Sequence, residues 1–330
     1  MCKLSIIIPV YNVETWLRAC LDSVIVPGLE GYEIVAVNDS STDRSGEILA
    51  DYAERCPALV HVVTTANGGL GHARNVGLSL ARGEFVQFLD SDDTLSPGAV
   101  AEMLDALDGS FDIGVFDLVT VDESGRQLRY GRGAERTGSF TLSEYPELLL
   151  CPPNAVNKLW RKALFTNHAI AFPDRMWFED LATTPRLYLS AQRIACFPRP
   201  WYRYLERRGS ITQNANTERN LDMIRALDLC LGAYEQAGQF EAYRPQLCAM
   251  AAYHELLTSN TRVNRADPNS PVQDQLTEDF LRRFPDWREN PYLQSYSRTY
   301  RLLLRLITGK HRRALHLLIL ANELQKRKNI

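Results

Sequence analysis

The 330-residue sequence predicts an α/β fold, a mostly parallel sheet flanked by helices, followed by a smaller α-helical C-terminal region. Three observations carry this reading. Over the first hundred residues, short β-branched apolar runs alternate with segments whose apolar positions recur at helical spacing. The strand runs are apolar almost without a break, as in a parallel sheet covered on both faces. After about residue 217 every periodic segment is helical.

Taken in order, "KLSIIIPVY" (3–11) reads as the first strand, and "ETWLRACLDSVI" (14–25) spaces Trp16, Leu17, Cys20, Leu21 and Val24 as a helix does. "YEIVAVND" (32–39) is the second strand. "STDRSGEILADYAERC" (41–56) is the second helix, with Ser41 or Thr42 as its N-cap. "ALVHVVTT" (58–65) is a third strand, "LGHARNVGLSLARG" (70–83) a helix ending at Gly83, and "EFVQFLD" (84–90) a fourth strand. A helix over 97–107 and a strand over 111–121 follow. The polar stretch 122–140, with a turn at Gly125, suits a hairpin or loop at the sheet edge. "NKLWRKALF" (157–165) and "MWFEDLATTPRLYLS" (176–190) form the next block, with Glu179 and Asp180 near a helix start. "RIACF" (193–197) and "PWYRY" (200–204) read as strands before the Arg-rich loop 205–214. Helices are expected over 217–238, 240–262 and beyond, so the domain boundary is set between 1–215 and 216–330.

At 45% hydrophobic and 23% charged residues, the composition is that of an ordinary soluble globular protein rather than a disordered chain. A net charge of -3 and a pI near 6.1 give no global basis for nucleic-acid binding. Seven scattered cysteines, without a C-x-x-C pair, fit reduced core residues rather than a disulfide framework or zinc knuckle. The opening residues lack the pattern of a signal peptide, and no run of 18 apolar residues occurs, so the expected location is the cytoplasm.

In a parallel sheet of this kind the ligand site lies at the carboxyl ends of the strands. "YN" (11–12), "NDSSTD" (38–43), "NGG" (67–69) and "DSDD" (90–93) each follow one of the first four strands. Any one of them suits a solvated turn; all four on one edge point to a site. Asp90 and Asp92 form a D-x-D pair of hard oxygen ligands suited to a divalent metal that bridges substrate phosphates. Asp39 can accept from a nucleobase N–H or cap a helix. Tyr11 can stack on a ring or pack at an edge, and Arg74 can meet a phosphate or lie on the surface. "HELLT" (254–258) lacks the second histidine of a zinc-protease helix, and "NGGLG" (67–71) lacks dinucleotide-loop spacing.

"SIIIPVYN", "VNDSSTD", "NGGLGHARNVGL" with "ARGEFVQFLDSDD", then "FED" and "RRGSIT", in this order, resemble the family 2 glycosyltransferases of GT-A (Rossmann-like) fold, especially bacterial enzymes that decorate capsule, teichoic-acid and other surface polysaccharides. The resemblance is dense over 3–105, sparse over 157–214 and absent from 217–330. It implies a nucleotide-sugar half (1–105) and an acceptor half (106–215). It places Pro9, Tyr11 and Asp39 on the uracil of a UDP-sugar, with Gly69, Arg74, Asp90 and Ser91 around the nucleotide. It makes Asp92, with Asp90, the ligand of Mn2+ or Mg2+, and Asp180 the base that deprotonates the acceptor hydroxyl beside Glu179. Arg208 and Ser210 match a loop closing on the pyrophosphate. Ser40 stands where relatives often have Gly. The Q-x-x-R-W signature of processive synthases is absent, which implies a transferase adding one or few sugars.

The resulting expectation is an inverting, metal-dependent transferase moving a sugar from a UDP-sugar donor to a hydroxyl of a glycan or lipid-linked acceptor. A sugar-nucleotide pyrophosphorylase and a non-catalytic nucleotide-sugar-binding scaffold are the alternatives. On residues alone, Glu179–Asp180 also fits an acidic pair complementing a helix dipole. Residues 298–330 carry nine cations against one acid, interleaved with leucines. That segment suits peripheral contact with an anionic membrane, or packing against the catalytic domain or a second subunit in a homo-oligomer.

Overall fold

The computed structural model describes residues 2–207 and 216–328. The chain divides into two compact units, 1–210 and 211–330, each considered by itself.

The first unit begins with strand β1 (Leu4–Val10), helix α1 (Leu17–Val24), β2 (Tyr32–Asn38), α2 (Ser45–Arg55), β3 (Val60–Thr64), α3 (Leu70–Leu80) and β4 (Phe85–Phe88). β5 (Thr94–Leu95), α4 (Ala99–Ala106), β6 (Ile113–Val121), β7 (Gln127–Gly131) and β8 (Gly138–Phe140) follow. β9 (Lys158–Arg161), α5 (Lys162–Asn167), α6 (Glu179–Ser190) and β10 (Ile194–Leu205) complete it. The described strands form one sheet in the order β3-β2-β1-β4-β9-β6-β10-β5, with β7 on β6 and β8 on β10. β1, β2, β3 and β4 pair in parallel, as do β6 and β10, whereas β9 runs antiparallel between β4 and β6. The sheet is therefore parallel from β3 to β4 and mixed beyond β4.

The topology positions the site. From β1 the chain winds outward through β2 and β3, then returns to place β4 on the other side of β1. That reversal is a topological switch point, the place beyond the carboxyl ends of β1 and β4 where sheets of this kind bind ligands. Tyr11 follows β1, and Asp90–Asp93 follow β4. Every residue of β1 and β2 is buried, which explains their nearly continuous apolar runs. Pro9 is tolerated in this central strand because its pairing with β4 ends at Ile7–Phe88, before the missing N–H would be needed. Helix α3 lies close on β1: a Cβ at Gly77 would sit 2.3 Å from Ile7 Cγ2.

Several element boundaries differ from the sequence expectation. The second helix starts at Ser45, without Ser41 or Thr42 as its cap. Asn12 Oδ1 accepts from the Thr42 amide at 2.7 Å and Asp43 Oδ1 from the Ser45 amide at 2.9 Å, so residues 41–44 are held as a loop. The two strands expected at 193–197 and 200–204 are one strand, β10, whose register slips between Phe197 and Tyr202. Pro198 and Pro200 lie within that slip, where a ladder donor is dispensable. The expected block 157–165 splits into β9 and α5. The polar stretch 122–140 forms a hairpin partner for β6 and a short strand on β10.

The second unit contains α7 (Asp222–Gln236), α8 (Phe240–Ala251), a π-helix (Ala252–Asn260), α9 (Thr261–Ala266), α10 (Val272–Arg283), α11 (Pro291–Ser295), α12 (Arg298–Thr308) and α13 (Arg312–Lys328). Its core is built from Leu227, Tyr234, Leu247, Leu256, Leu276, Phe280 and Phe284, all fully buried. The helix expected over 240–262 is α8 continued as a π-helix, and the basic segment 298–330 is two helices broken at Gly309–His311. No helix among the described residues is long and apolar enough to cross a membrane. The seven cysteines are free thiols.

Candidate active site

At the end of β2, Asp39 is buried, and its amide donates to Val10 O at 2.9 Å. Its carboxylate accepts from the Gly68 amide at 2.8 Å and the Gly69 amide at 2.9 Å. Asp39 thus ties the end of β2 to the turn before α3 rather than capping a helix. Gly69 adopts φ +84°, a conformation that favours glycine. Ser40, where a glycine was expected from relatives, also lies in the left-handed region at φ +59°; its Oγ donates to Thr65 O at 2.6 Å. Tyr11 stands at the mouth of this region, 50% exposed. Pro9 is buried near the end of β1, and Ser91 is buried in the turn after β4.

Arg74 is not the surface cation of the alternative reading. It projects from α3 into the interior, 1% exposed, and its guanidinium is taken up by carboxylates. Nη2 donates to Asp90 Oδ1 at 3.0 Å, and Nη1 to Glu179 Oε1 at 2.8 Å and Asp180 Oδ1 at 2.7 Å. The rings of Phe172 and Phe88 flank it. Asn75, one residue on, donates to Phe172 O and accepts from the Phe172 amide, which clamps the chain leading to α6. At the start of α6, Phe178 is left-handed at φ +65°, so that Glu179 and Asp180 turn toward Arg74. Ala155 N donates to the other oxygen of Asp180 at 3.0 Å.

Three acids around one guanidinium leave an excess of negative charge, and the proton affinities show it. Burial raises the Asp90 carboxyl, against the pull of Arg74 and with the push of Asp92 and Asp180. Burial, then Asp180, pushes Glu179 up to about 7. Arg74 is held protonated more firmly than usual: burial opposes its charge, but Asp180, Asp90 and Glu179 outweigh it. Asp93 is raised well above the ordinary range by burial and by Asp90 and Asp92. Its oxygens accept from Tyr202 Oη and Leu205 N, both at 2.6 Å, fixing β10 beneath the acidic turn.

Asp92 is partly exposed and ion-paired with Arg207, at 2.9 Å from Nε and 2.7 Å from Nη2. No group of three His, Cys, Asp or Glu among the described residues forms a metal cage. The donor chemistry nevertheless fits a hard divalent cation that keeps waters and uses one or two carboxylates with substrate phosphates, because Asp90 and Asp92 both present partly exposed oxygens at a strand end. Arg208 and Ser210 lie outside the described residues. Sequence reasoning gave Arg207 no role, although it is the first residue of the quoted "RRGSIT" motif. It also missed Ala155, whose contribution is a backbone N–H that no residue type announces.

A comparison with protein families matches residues 5–147 to "Glycosyl transferase family 2". Uncharacterized glycosyltransferase EpsJ of Bacillus subtilis is 33% identical over 220 residues, 63% of this chain and 62% of that protein. Poly(ribitol-phosphate) beta-N-acetylglucosaminyltransferase TarS of Staphylococcus aureus is 29% identical over 258 residues, 76% of this chain and 43% of that protein. The crystal structure of S. aureus TarS 1–349 superposes with a TM-score of 0.71 at 22% identity, covering 99% of this chain and 92% of that one. The same protein in complex with UDP gives 0.69 at 24% identity, over 99% and 92%. With UDP-GlcNAc it gives 0.57 at 21%, over 90% and 93%. The fold is therefore GT-A, and the segment that begins in β1 and runs past β8 matches the family 2 glycosyltransferases.

Proposed function

We propose that the protein is an inverting, metal-dependent glycosyltransferase. It moves a sugar from a UDP-sugar to a hydroxyl of a glycan or lipid-linked acceptor, adding one or few sugars in surface-polysaccharide synthesis. The observation that carries the reading is Asp180, held at one oxygen by Arg74 and at the other by Ala155 N, within the same cluster as Asp90 of the D-x-D turn. The UDP and UDP-GlcNAc complexes of the TarS fold neighbour support a uridine diphosphate donor.

In this reading residues 1–105 hold the donor and 106–215 the acceptor. Tyr11 stacks on the uracil, Asp39 accepts from its N–H, and Pro9, Gly69 and Ser91 line the nucleotide. Asp92 and Asp90 hold Mn2+ or Mg2+, which when bound offsets charge developing on the departing diphosphate. Arg207, now neutralising Asp92, and Arg208 and Ser210 beyond it supply further donors toward the pyrophosphate. Arg74 acts from beneath by orienting Asp90, Glu179 and Asp180. Each Asp180 oxygen accepts one hydrogen bond and retains a lone pair. Asp180 takes the proton of the acceptor hydroxyl as its oxygen bonds to the anomeric carbon, and the bond from that carbon to UDP breaks on the opposite face. One displacement inverts the centre, and no covalent enzyme intermediate forms.

The test is UDP release from a panel of UDP-sugars with Mn2+, Mg2+ or EDTA, in wild type, Asp180→Asn and Asp92→Ala. Metal-dependent release from one donor, lost in both variants, supports the reading. No release from any donor refutes it. Peripheral membrane contact rests on the basic helices α12 and α13, which leave Leu302, Leu317 and Leu320 exposed among their cations. Flotation on anionic liposomes equal to that of a chain ending near Asn290 would refute that part.

A further inference from the structure

Residues 152–156 lead into β9 without regular structure, yet five successive carbonyls each accept from a side chain. Pro152 O accepts from Lys158 Nζ at 3.2 Å, Pro153 O from Thr184 Oγ1 at 2.6 Å and Asn154 O from Lys158 Nζ at 2.6 Å. Ala155 O accepts from Trp160 Nε1 at 3.0 Å and Val156 O from Gln87 Nε2 at 2.8 Å. Lys158, Thr184, Trp160 and Gln87 are all fully buried. Prolines at 152 and 153 contribute no N–H, and the amide of Ala155 points out of the segment to Asp180 Oδ2.

Lys158 is the unusual member. A buried ammonium is costly unless every proton is matched. Here three acceptors, Pro152 O, Asn154 O and Asn157 Oδ1 at 2.8 Å, meet its three N–H bonds. Methionine would fill the same volume without that cost, so packing alone does not account for a lysine. What the ammonium adds is a fixed path for the backbone that presents the Ala155 amide.

Building on the transferase reading above, we infer that Lys158 is a positioning residue for the reaction: by gathering the carbonyls of Pro152 and Asn154 it holds the Ala155 N–H against Asp180 and so fixes the orientation of the base. Arg74 holds one oxygen of Asp180 from the donor side, and this segment holds the other from the acceptor side. Loss of the second hold frees the carboxylate to rotate about its remaining bond. It leaves the donor pocket of Pro9, Tyr11 and Asp39 untouched, so the effect falls on turnover and not on donor binding. Burial also draws the Lys158 ammonium down to about 8. The titratable groups facing it are Asp180, Cys151 and Cys196; burial pushes the thiols up to about 11 and 12, away from that range. Deprotonation leaves two N–H bonds for three acceptors, so turnover falls through a limb near pH 8.

The experiment measures UDP release against pH for wild type, Lys158→Met and Thr184→Val, with UDP affinity from calorimetry. Lys158→Met is expected to lower kcat about 10- to 100-fold, with donor KM and UDP Kd within about twofold and the limb near pH 8 gone. Thr184→Val, which removes one carbonyl anchor and keeps the ammonium, is expected to show a smaller loss with the same division, and carries the test if Lys158→Met does not fold. An active wild type with kcat unchanged in both variants, or a loss shared equally by kcat and UDP affinity, overturns the inference alone. An inactive wild type overturns the transferase reading and this inference with it.

Discussion

Replacing Arg74 with methionine removes a cation that is 1% exposed and leaves Asp90, Glu179 and Asp180 facing one another. Three features set the size of the effect. The guanidinium makes three charge-assisted hydrogen bonds of 2.7–3.0 Å. Its partners are mostly enclosed, so solvent screens the pairs only in part. Methionine retains most of the packing against Phe88 and Phe172, so the loss is electrostatic rather than a cavity. Removing one side of such a buried network typically costs about 3–5 kcal/mol. At about 2–4 °C per kcal/mol for a unit of this size, the melting temperature is expected to fall by roughly 6–20 °C at pH 7.5. The deficit should shrink at pH 5, where Glu179, raised to about 7, carries its own proton. Urea unfolding of both proteins at the two pH values measures this. A variant within about 1 kcal/mol of wild type at pH 7.5, or an equal deficit at both pH values, would refute the idea that Arg74 neutralises the acidic cluster.

Glu179→Gln tests the same cluster from the other side. The folded carboxyl holds its proton up to about 7 while the unfolded one releases it near 4.5, so the folded state binds more protons between those values. Wild-type stability therefore falls as pH rises through that window, by up to roughly 3 kcal/mol from this group, and the glutamine variant should lack that part of the slope in urea titrations. Gly77→Ala drives a methyl into Ile7 and should cost about 1–3 kcal/mol in thermal melts, with lowered activity as α3 carries Arg74 away from α6; an unchanged melt would contradict the packing described. Asp39→Asn sets an NH2 group against the amide of Gly68 or Gly69 and should cost about 1–3 kcal/mol, together with a loss of UDP affinity read by calorimetry.

The N-terminal part of the sheet was legible because its signals are local. Continuous apolar runs announce buried parallel strands, and turn residues at their ends mark the ligand edge, so β1 to β4 and the clusters at Tyr11, Asp39 and Asp90 to Asp92 follow from spacing. Arg74 was legible as a site residue and not in its role, since Glu179 and Asp180 lie more than a hundred positions away and only tertiary packing brings them to its guanidinium. The five-carbonyl segment was invisible for the same reason. Its information lies in backbone atoms, and its donors come from β4, β9 and α6. Boundaries slipped where side chains competed with regular structure, as Asn12 does for the amide expected to lie at the start of α2. The split of 298–330 at Gly309–His311 was masked by leucines that keep helical spacing on both sides.

The central claim is that the site beyond β1 and β4 holds a uridine diphosphate through Asp39 and the D-x-D turn. Calorimetric titration of wild type with UDP and with GDP, each with Mn2+ and with EDTA, tests it most directly. UDP is expected to bind more tightly with Mn2+ and to be strongly favoured over GDP. Equal binding of the two nucleotides, or no binding of UDP with Mn2+ present, would contradict it.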